Sequence, residues 1–182
     1  MQPEALMLYK LIILYILDRV DFPMSNAQLT DFITSREYTS YFNVQTVLGE
    51  LVEDDYVSRE QTRSQTLYRI TKTGRETLSY FCNEISKDIR DDIDLYLTQE
   101  KYSLRDEVST LADFYPRGNG EYITELKIME KDDYIVELKL TLPNGNAAQN
   151  VCNNWKRKNA DIYAYVLNSL LNNDEPEDTT HP

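Results

Sequence analysis

The fold class of this chain is decided by residues 56–74, which read Tyr-Val-Ser-Arg-Glu-Gln-Thr-Arg-Ser-Gln-Thr-Leu-Tyr-Arg-Ile-Thr-Lys-Thr-Gly. Two β-like runs, 56–60 and 66–71, flank a polar tip at 61–65, and no proline prevents their pairing. The segment therefore predicts a β-hairpin. Apolar residues then recur at helical spacing and predict a helix after the hairpin: Leu78, Phe81, Cys82 and Ile85.

Apolar periodicity upstream of the hairpin predicts three helices. They span about residues 3–19, 26–35 and 39–54. Ser25 is a good N-cap for the second helix, and Thr39 or Ser40 for the third, because a short hydroxyl side chain can accept a hydrogen bond from the first helical turn. Three helices, a hairpin and a closing helix form a winged helix-turn-helix domain, a scaffold most often used to bind DNA.

The hairpin region is basic in a chain that is otherwise acidic. From residue 59 to residue 75 there are five basic side chains and one acid, whereas the whole chain carries a net charge of −12. The basic residues are Arg59, Arg63, Arg69, Lys72 and Arg75. Residues 1–90 carry a net −3 and residues 91–182 a net −9. A local positive charge in the less acidic half indicates a site for a polyanion.

The third helix is the candidate reading helix, because this element enters the major groove in helix-turn-helix folds. Its core spacing favours Tyr41 inward and leaves Phe42 partly exposed, where it could touch a thymine methyl or pack against the second helix. Asn43, Gln45 and Thr46 face outward and can hydrogen-bond to base edges. The alternative is an inert solvated face, which the acids at the C-terminal end of the helix favour.

The hairpin supplies candidate phosphate contacts. Arg63 at the tip is best placed to meet a phosphate or the minor groove, whereas Arg59 and Arg69 could instead form cross-strand ion pairs of about 0–1 kcal/mol. The full set of candidate DNA-binding residues is Phe42, Asn43, Gln45, Thr46, Arg59, Arg63, Gln65 and Lys72.

The second half of the chain predicts a smaller α+β domain. Two paired strands at 121–129 and 134–142 precede a helix of about residues 146–171, whose apolar residues would cover one sheet face: Val151, Trp155, Ile162, Val166, Leu167 and Leu170. The segment 110–115 is compatible with a further strand.

The expected organisation is α+β, a winged helix-turn-helix domain followed by a small β-hairpin-plus-long-helix domain. The boundaries are 1–85 for the winged helix, 86–102 for a helical linker, 103–171 for the second domain and 172–182 for a disordered tail. Ile89, Ile93 and Leu97 recur at helical spacing in the linker, which makes it a possible dimer element.

Other functional classes lack the residues that they require. No apolar run reaches the roughly 20 residues of a membrane span, and the N-terminus lacks a basic leader region, so we expect a cytoplasmic protein. Cys82 and Cys152 are expected to be buried, reduced thiols. His181 is the single histidine, and phosphate-binding and metal-binding motifs are missing from the sequence. We therefore expect no enzyme, no cofactor and no metal.

The hairpin and the helix after it resemble those of PadR- and MarR-type regulators. The similarity lies in Tyr68-Arg69-Ile70-Thr71-x-x-Gly74-x-x-x-Leu78, with Ile70 where their pattern has Leu. Nearly the entire chain is also similar to an uncharacterised domain-of-unknown-function family of Gram-positive bacteria, through Ile89-Arg90-x-x-Ile93 and Cys152-x-Asn154-Trp155-Lys156. The resemblance implies a winged-helix transcriptional regulator.

The sequence thus predicts a homodimeric regulator that reads double-stranded DNA with helix 39–54 and wing 56–71, and it names no small-molecule effector. The alternative is a winged-helix protein-interaction module that does not bind DNA, which the net charge of −12 favours.

Overall fold

The computed structural model describes residues 3–130 and 133–171, and this part of the chain is an α+β protein. It contains six α-helices and two three-stranded antiparallel sheets within those residues. The contacts divide the chain into two units, the first running to Ser109 and the second beginning at Thr110. The tail expected at 172–182, with His181, lies outside the described residues.

The first unit alternates helices with short strands. Its elements are α1 (Pro3–Asp18), β1 (Met24–Ser25), α2 (Asn26–Ser35), α3 (Tyr41–Glu53), β2 (Val57–Gln61), β3 (Thr66–Ile70), α4 (Lys72–Phe81) and α5 (Lys87–Ser109), with a 3-10 turn at Cys82–Glu84. Strand β3 is central and pairs antiparallel with both β1 and β2. The hairpin and the three helices before it therefore begin and end within about two residues of the predicted positions.

Side-chain caps fix where α2 and α3 begin. The Ser25 hydroxyl accepts from the Gln28 backbone N–H at 3.2 Å, and the Gln28 side chain accepts from the Ser25 N–H at 3.0 Å, which makes a reciprocal capping box. For α3 the cap is Ser40, whose side chain accepts from the Asn43 backbone N–H. Thr39, the other candidate cap, accepts instead from the Asn43 side chain at 2.8 Å.

The core of the first unit is built around α1, which contacts α3, α4 and β3. Every residue of the run 11–17 is buried because neighbours surround this helix on most sides. Three core predictions were wrong, the first of them for Cys82, which is only half-buried because it lies in the 3-10 turn after α4. Tyr41 is 53% exposed because it lies in the first turn of α3, ahead of Val44, the first residue of the packed stripe. Phe81 is 44% exposed because it lies at the very end of α4.

Helix α5 is one continuous helix of 23 residues that runs past the expected domain boundary at residue 103. Two residues of its apolar stripe are buried by other residues of the same chain: Ile93 is 0% exposed and Leu97 is 4% exposed. The stripe that made 86–102 a possible dimer element is therefore covered within one chain at Ile93 and Leu97, which belong to the core of the first unit. Asp92 accepts from Arg36 at 2.7 Å and from Tyr38 at 2.6 Å, which ties α5 to the segment after α2.

The second unit consists of a sheet covered by one long helix. Its elements are β4 (Thr110–Gly118), β5 (Glu121–Glu130), β6 (Asp133–Leu142) and α6 (Gly145–Leu171), with β5 central in the sheet. Trp155 is 1% exposed, packs with Leu126 and Cys152, and donates its indole N–H to the Lys127 carbonyl at 3.3 Å. The inward orientation of Trp155 is as predicted.

The last turns of α6 do not cover the sheet as predicted. Ile162 still packs against the sheet cluster, but Leu167 is 37% exposed and Leu170 is 76% exposed. A helix of 27 residues is roughly 40 Å long, whereas a strand of 10 residues spans roughly 33 Å. The helix is therefore longer than the sheet that it covers, and its last turns extend beyond the sheet.

Candidate nucleic-acid interface

The outer side of α3 presents Phe42, Thr46 and Gly49, which follow one another at one-turn spacing and are all exposed. Phe42 is 79% exposed, so packing against α2, one of the two roles considered for it, is excluded. Its ring instead meets the Tyr41 ring edge-on, with centroids 5.8 Å apart. No charged residue occurs from residue 38 to residue 49. This half of α3 is therefore open and neutral.

Gln45 does not face outward as a base reader should. Its amide N–H donates to the Asn26 side-chain oxygen at 3.0 Å and to the Thr30 hydroxyl at 3.2 Å, and its oxygen accepts from Asn26 at 2.9 Å. Asn26 in turn donates to the Tyr68 hydroxyl of β3 at 3.4 Å. Gln45 is therefore a positioning residue that fixes α3 against α2, because its donors and its acceptor are already engaged.

Asn43 and Thr46 retain part of the capacity that was predicted for them. The Asn43 amide donates to the Thr39 hydroxyl at 2.8 Å, which fixes the side-chain plane. The Thr46 hydroxyl donates to the Phe42 carbonyl at 3.0 Å, one turn back along the helix. Because a hydroxyl oxygen keeps acceptor capacity while its hydrogen is donated, Thr46 can still accept a hydrogen bond from a base.

Two of the four acids at the C-terminal end of α3 are paired with a lysine of α1. The Lys10 ammonium lies 2.9 Å from Glu50 and 3.2 Å from Asp54. Burial acts to lower the pKa of Lys10, but its hydrogen bonds to the two carboxylates outweigh this and raise that pKa. Lys10 is therefore charged at neutral pH, and it weakens the repulsion between this end of α3 and a phosphate.

The β2–β3 hairpin places its arginines on different parts of the surface. Arg59 is exposed and lies opposite Tyr68 in the strand register, so both side chains share one sheet face. Because the Tyr68 hydroxyl reaches Asn26, this face is the one turned toward α2. Arg63 is exposed in the turn, which Thr62 and Gln65 close through a backbone hydrogen bond of 2.9 Å.

Of the three remaining basic positions, Arg69 lies opposite Ser58 in the hairpin, and the other two lie away from the tip. The Lys72 ammonium is 3.8 Å from Glu76, and its side chain is 91% exposed at the start of α4. It follows the base of the hairpin, and the five residues of β3 put it roughly 17 Å or more from the tip. Arg75 forms an ion pair with Asp18 of α1 at 3.2 Å. The basic residues of the sequence therefore do not form one cluster.

A groove of about 790 Å³ connects the tip of the hairpin with α2 and the start of α3. Hydroxyl and amide side chains dominate its lining, which consists of Ser25, Asn26, Ala27, Thr30, Asp31, Thr34, Tyr41, Ser64, Gln65 and Thr66. The groove brings the predicted residue Gln65 beside the α2–α3 pair. Sequence reasoning missed the contribution of α2, although Asn26 and Thr30 are polar residues one turn apart on that helix.

Comparison with known proteins identifies the family. The model of the family described as Domain of unknown function (DUF4364) matches residues 9–170, and the chain belongs to this family. Neither a curated protein nor a solved structure matches the chain. None of the helices in residues 3–130 and 133–171 combines the length and the apolar character that crossing a membrane requires.

Proposed function

We propose that this DUF4364 protein is a cytoplasmic transcriptional regulator that binds double-stranded DNA through a winged helix in its first unit. The proposal takes α3 as the reading helix and the β2–β3 hairpin as the wing. The observation that carries it is the open, neutral stripe on α3, beside a hairpin that bears Arg59 and Arg63. The resemblance of residues 68–78 to PadR- and MarR-type regulators supports the same reading. The protein would act by binding and not by catalysis.

The contacts assign different roles to the candidate residues. Phe42, Asn43 and Thr46 would meet base edges, since they lie in the N-terminal half of α3, where readers of the major groove usually lie. Gly49 would admit the sugar-phosphate backbone, because nothing lies within 4 Å of the position of an added Cβ. Gln45 would act indirectly, by holding α3 on α2.

The charges of the first unit predict that its affinity for DNA depends only weakly on salt concentration. Several of its basic side chains are engaged with carboxylates, as in Lys10 with Glu50 and Arg75 with Asp18. With few basic residues left to meet phosphates, log affinity should fall with log salt concentration with a slope of only about −2 to −5.

The experiment is fluorescence anisotropy with duplexes selected from a random pool, measured over a range of salt. Arg63→Ala should weaken binding to all duplexes alike and reduce the salt slope by about 1. Arg157→Ala, which removes the same charge from an exposed site on α6, is the matched control and should change neither. Thr46→Ala should instead lower the preference for the selected site by about 1–3 kcal/mol. No binding at low salt would refute the proposal.

The second candidate function is a protein-interaction module. Tyr41 and Phe42 are adjacent, 53% and 79% exposed, and packed edge-on against each other. Exposed aromatic residues are typical anchors of protein interfaces, and the net charge of −12 opposes binding to DNA. The anisotropy experiment separates the two functions, because an interaction module would leave duplex DNA unbound even at low salt.

A further inference from the structure

The C-terminal end of α6 carries an apolar surface that the second unit leaves uncovered. Residues 162–171, Ile-Tyr-Ala-Tyr-Val-Leu-Asn-Ser-Leu-Leu, include eight apolar residues and no charged one. Ile162 contacts the sheet cluster, but Leu170 and Leu171 beyond it are 76% and 75% exposed. Exposed leucines in such a sequence are typical of a surface that another molecule covers.

The exposed leucines and half-buried Tyr163 form a stripe on one side of the helix. Tyr163, Leu167, Leu170 and Leu171 follow the spacing i, i+4, i+7 and i+8, which places them on a common side. Tyr165, which is 72% exposed, falls on the opposite side. The stripe is therefore confined to one side of the helix and does not surround it.

We propose that this stripe is the contact surface for a second copy of the chain, which packs its own α6 stripe against it about a two-fold axis. In such a contact the same surface must complement itself, so charges near the axis would meet like charges. The stripe has none, whereas the chain as a whole carries −12 and would repel its copy across most other surfaces. The proposal does not depend on DNA binding.

The area of the stripe indicates what class of interface it can form. The exposed parts of its leucines and of Tyr163 amount to on the order of 400 Å² per copy. A stable interface buries about 800 Å² per partner. The stripe supplies about half of that area, so we expect a weak dimer whose population rises with protein concentration.

Another segment of the same chain is a poorer occupant. Residues 172–182, which follow α6, include four acids and two prolines and no leucine, isoleucine or valine that could fill the stripe. An acidic segment would also remain more favourably in water than on an apolar surface.

Sedimentation of the full chain from 5 to 200 μM tests the proposal. The wild type should approach twice 21.3 kDa as concentration rises. Leu170→Glu and Leu171→Glu should each weaken association at least 100-fold, because each brings a charge into the stripe, while their far-UV circular dichroism stays native because both positions are exposed in one chain. Tyr165→Glu is the matched control on the opposite side of the helix and should still form the dimer.

Two results would overturn the proposal. A wild type that stays monomeric at 200 μM would mean that a different partner, or another part of the chain, covers the stripe. A dimer that survives in both leucine variants would mean that the copies meet elsewhere. Neither result bears on DNA binding, which duplex titration measures separately.

Discussion

Gly74 offers the sharpest test of how the hairpin joins the helices of the first unit. A Cβ added there would lie 2.2 Å from the Tyr56 carbonyl oxygen and 2.9 Å from the Ile70 side chain. That carbonyl cannot easily retreat, because it accepts from the Thr71 backbone N–H at 3.0 Å. Gly74 itself donates its N–H to the Thr71 hydroxyl at 3.0 Å, which caps α4. Only a glycine fits where the base of the hairpin meets the helix.

Gly74→Ala should lower the free energy of unfolding, whereas a glycine-to-alanine substitution in an ordinary helix raises it. Replacing a helical glycine by alanine usually stabilises by about 1 kcal/mol. Here the backbone must move, which costs about 1–3 kcal/mol in overpacking and about 0.5–1.5 kcal/mol for each weakened hydrogen bond at Thr71. Two such bonds are described, so after the propensity gain is subtracted we expect a net loss of about 1–5 kcal/mol in the free energy of unfolding. Gly49→Ala, with open space around it, should gain about 0.5–1 kcal/mol.

Urea unfolding followed by far-UV circular dichroism measures both variants against the wild type. The midpoint should fall for Gly74→Ala and rise for Gly49→Ala, with the slope of the transition unchanged. A Gly74→Ala protein as stable as the wild type would refute the described contact between α4 and the end of β3. Gly49→Ala should also weaken duplex binding, if DNA lies on α3 as proposed, although it stabilises the fold.

Three further predictions concern side chains whose surroundings are defined. Gln45→Ala should destabilise the first unit by about 1–3 kcal/mol in urea unfolding, because its partners on α2 lose their hydrogen bonds. In the native protein a thiol reagent should modify half-buried Cys82 much faster than Cys152, since burial raises the pKa of the Cys152 thiol; equal rates would contradict the packing of α6. A hydrogen bond from Lys139 lowers the pKa of Glu125. The stabilisation that this carboxylate provides is complete above about pH 4.3, the pKa of an unperturbed glutamate, and should disappear as the pH falls through the lowered pKa. Glu125→Gln should therefore flatten this part of the pH profile of thermal unfolding.

Local signals account for the elements that the sequence predicted well. The capping box at Ser25 and Gln28 and the regular apolar spacing of α3 depend on neighbours within a few residues, so they are visible in the sequence. The stripe of Ile93 and Leu97 was equally visible as a helix face. Its spacing could not reveal whether a second chain or the same chain covers it, because both surfaces are apolar, and the structure assigns it to the core of the first unit.

The predicted role of Gln45 illustrates a second limit. A polar residue on a helix is normally assigned to solvent, since burial of an unpaired amide costs several kcal/mol. That cost disappears when a complementary amide lies opposite, and Asn26 supplies both the donor and the acceptor at 2.9 and 3.0 Å. The pairing joins residues 19 positions apart, so only the packing of α2 on α3 brings it about. Phe42 is the opposite case, because an aromatic residue, normally assigned to the core, is left 79% exposed by the packing.

The net charge of −12 is a weaker argument against DNA binding than it first appears, because binding depends on the local potential and not on the total. Carboxylates of the first unit are used to join its helices, as Asp92 does with Arg36 and Asp21 with Arg105. Such pairs cancel much of their own field within a Debye length of about 8–10 Å. A phosphate near residues 38–49 would meet a segment without charged side chains, and Lys10 partly offsets Glu50 and Asp54 farther along α3. These ion pairs also engage basic side chains that could otherwise contact phosphates. Affinity for DNA must therefore come mainly from shape and hydrogen bonds, and for this reason we expect it to depend only weakly on salt concentration.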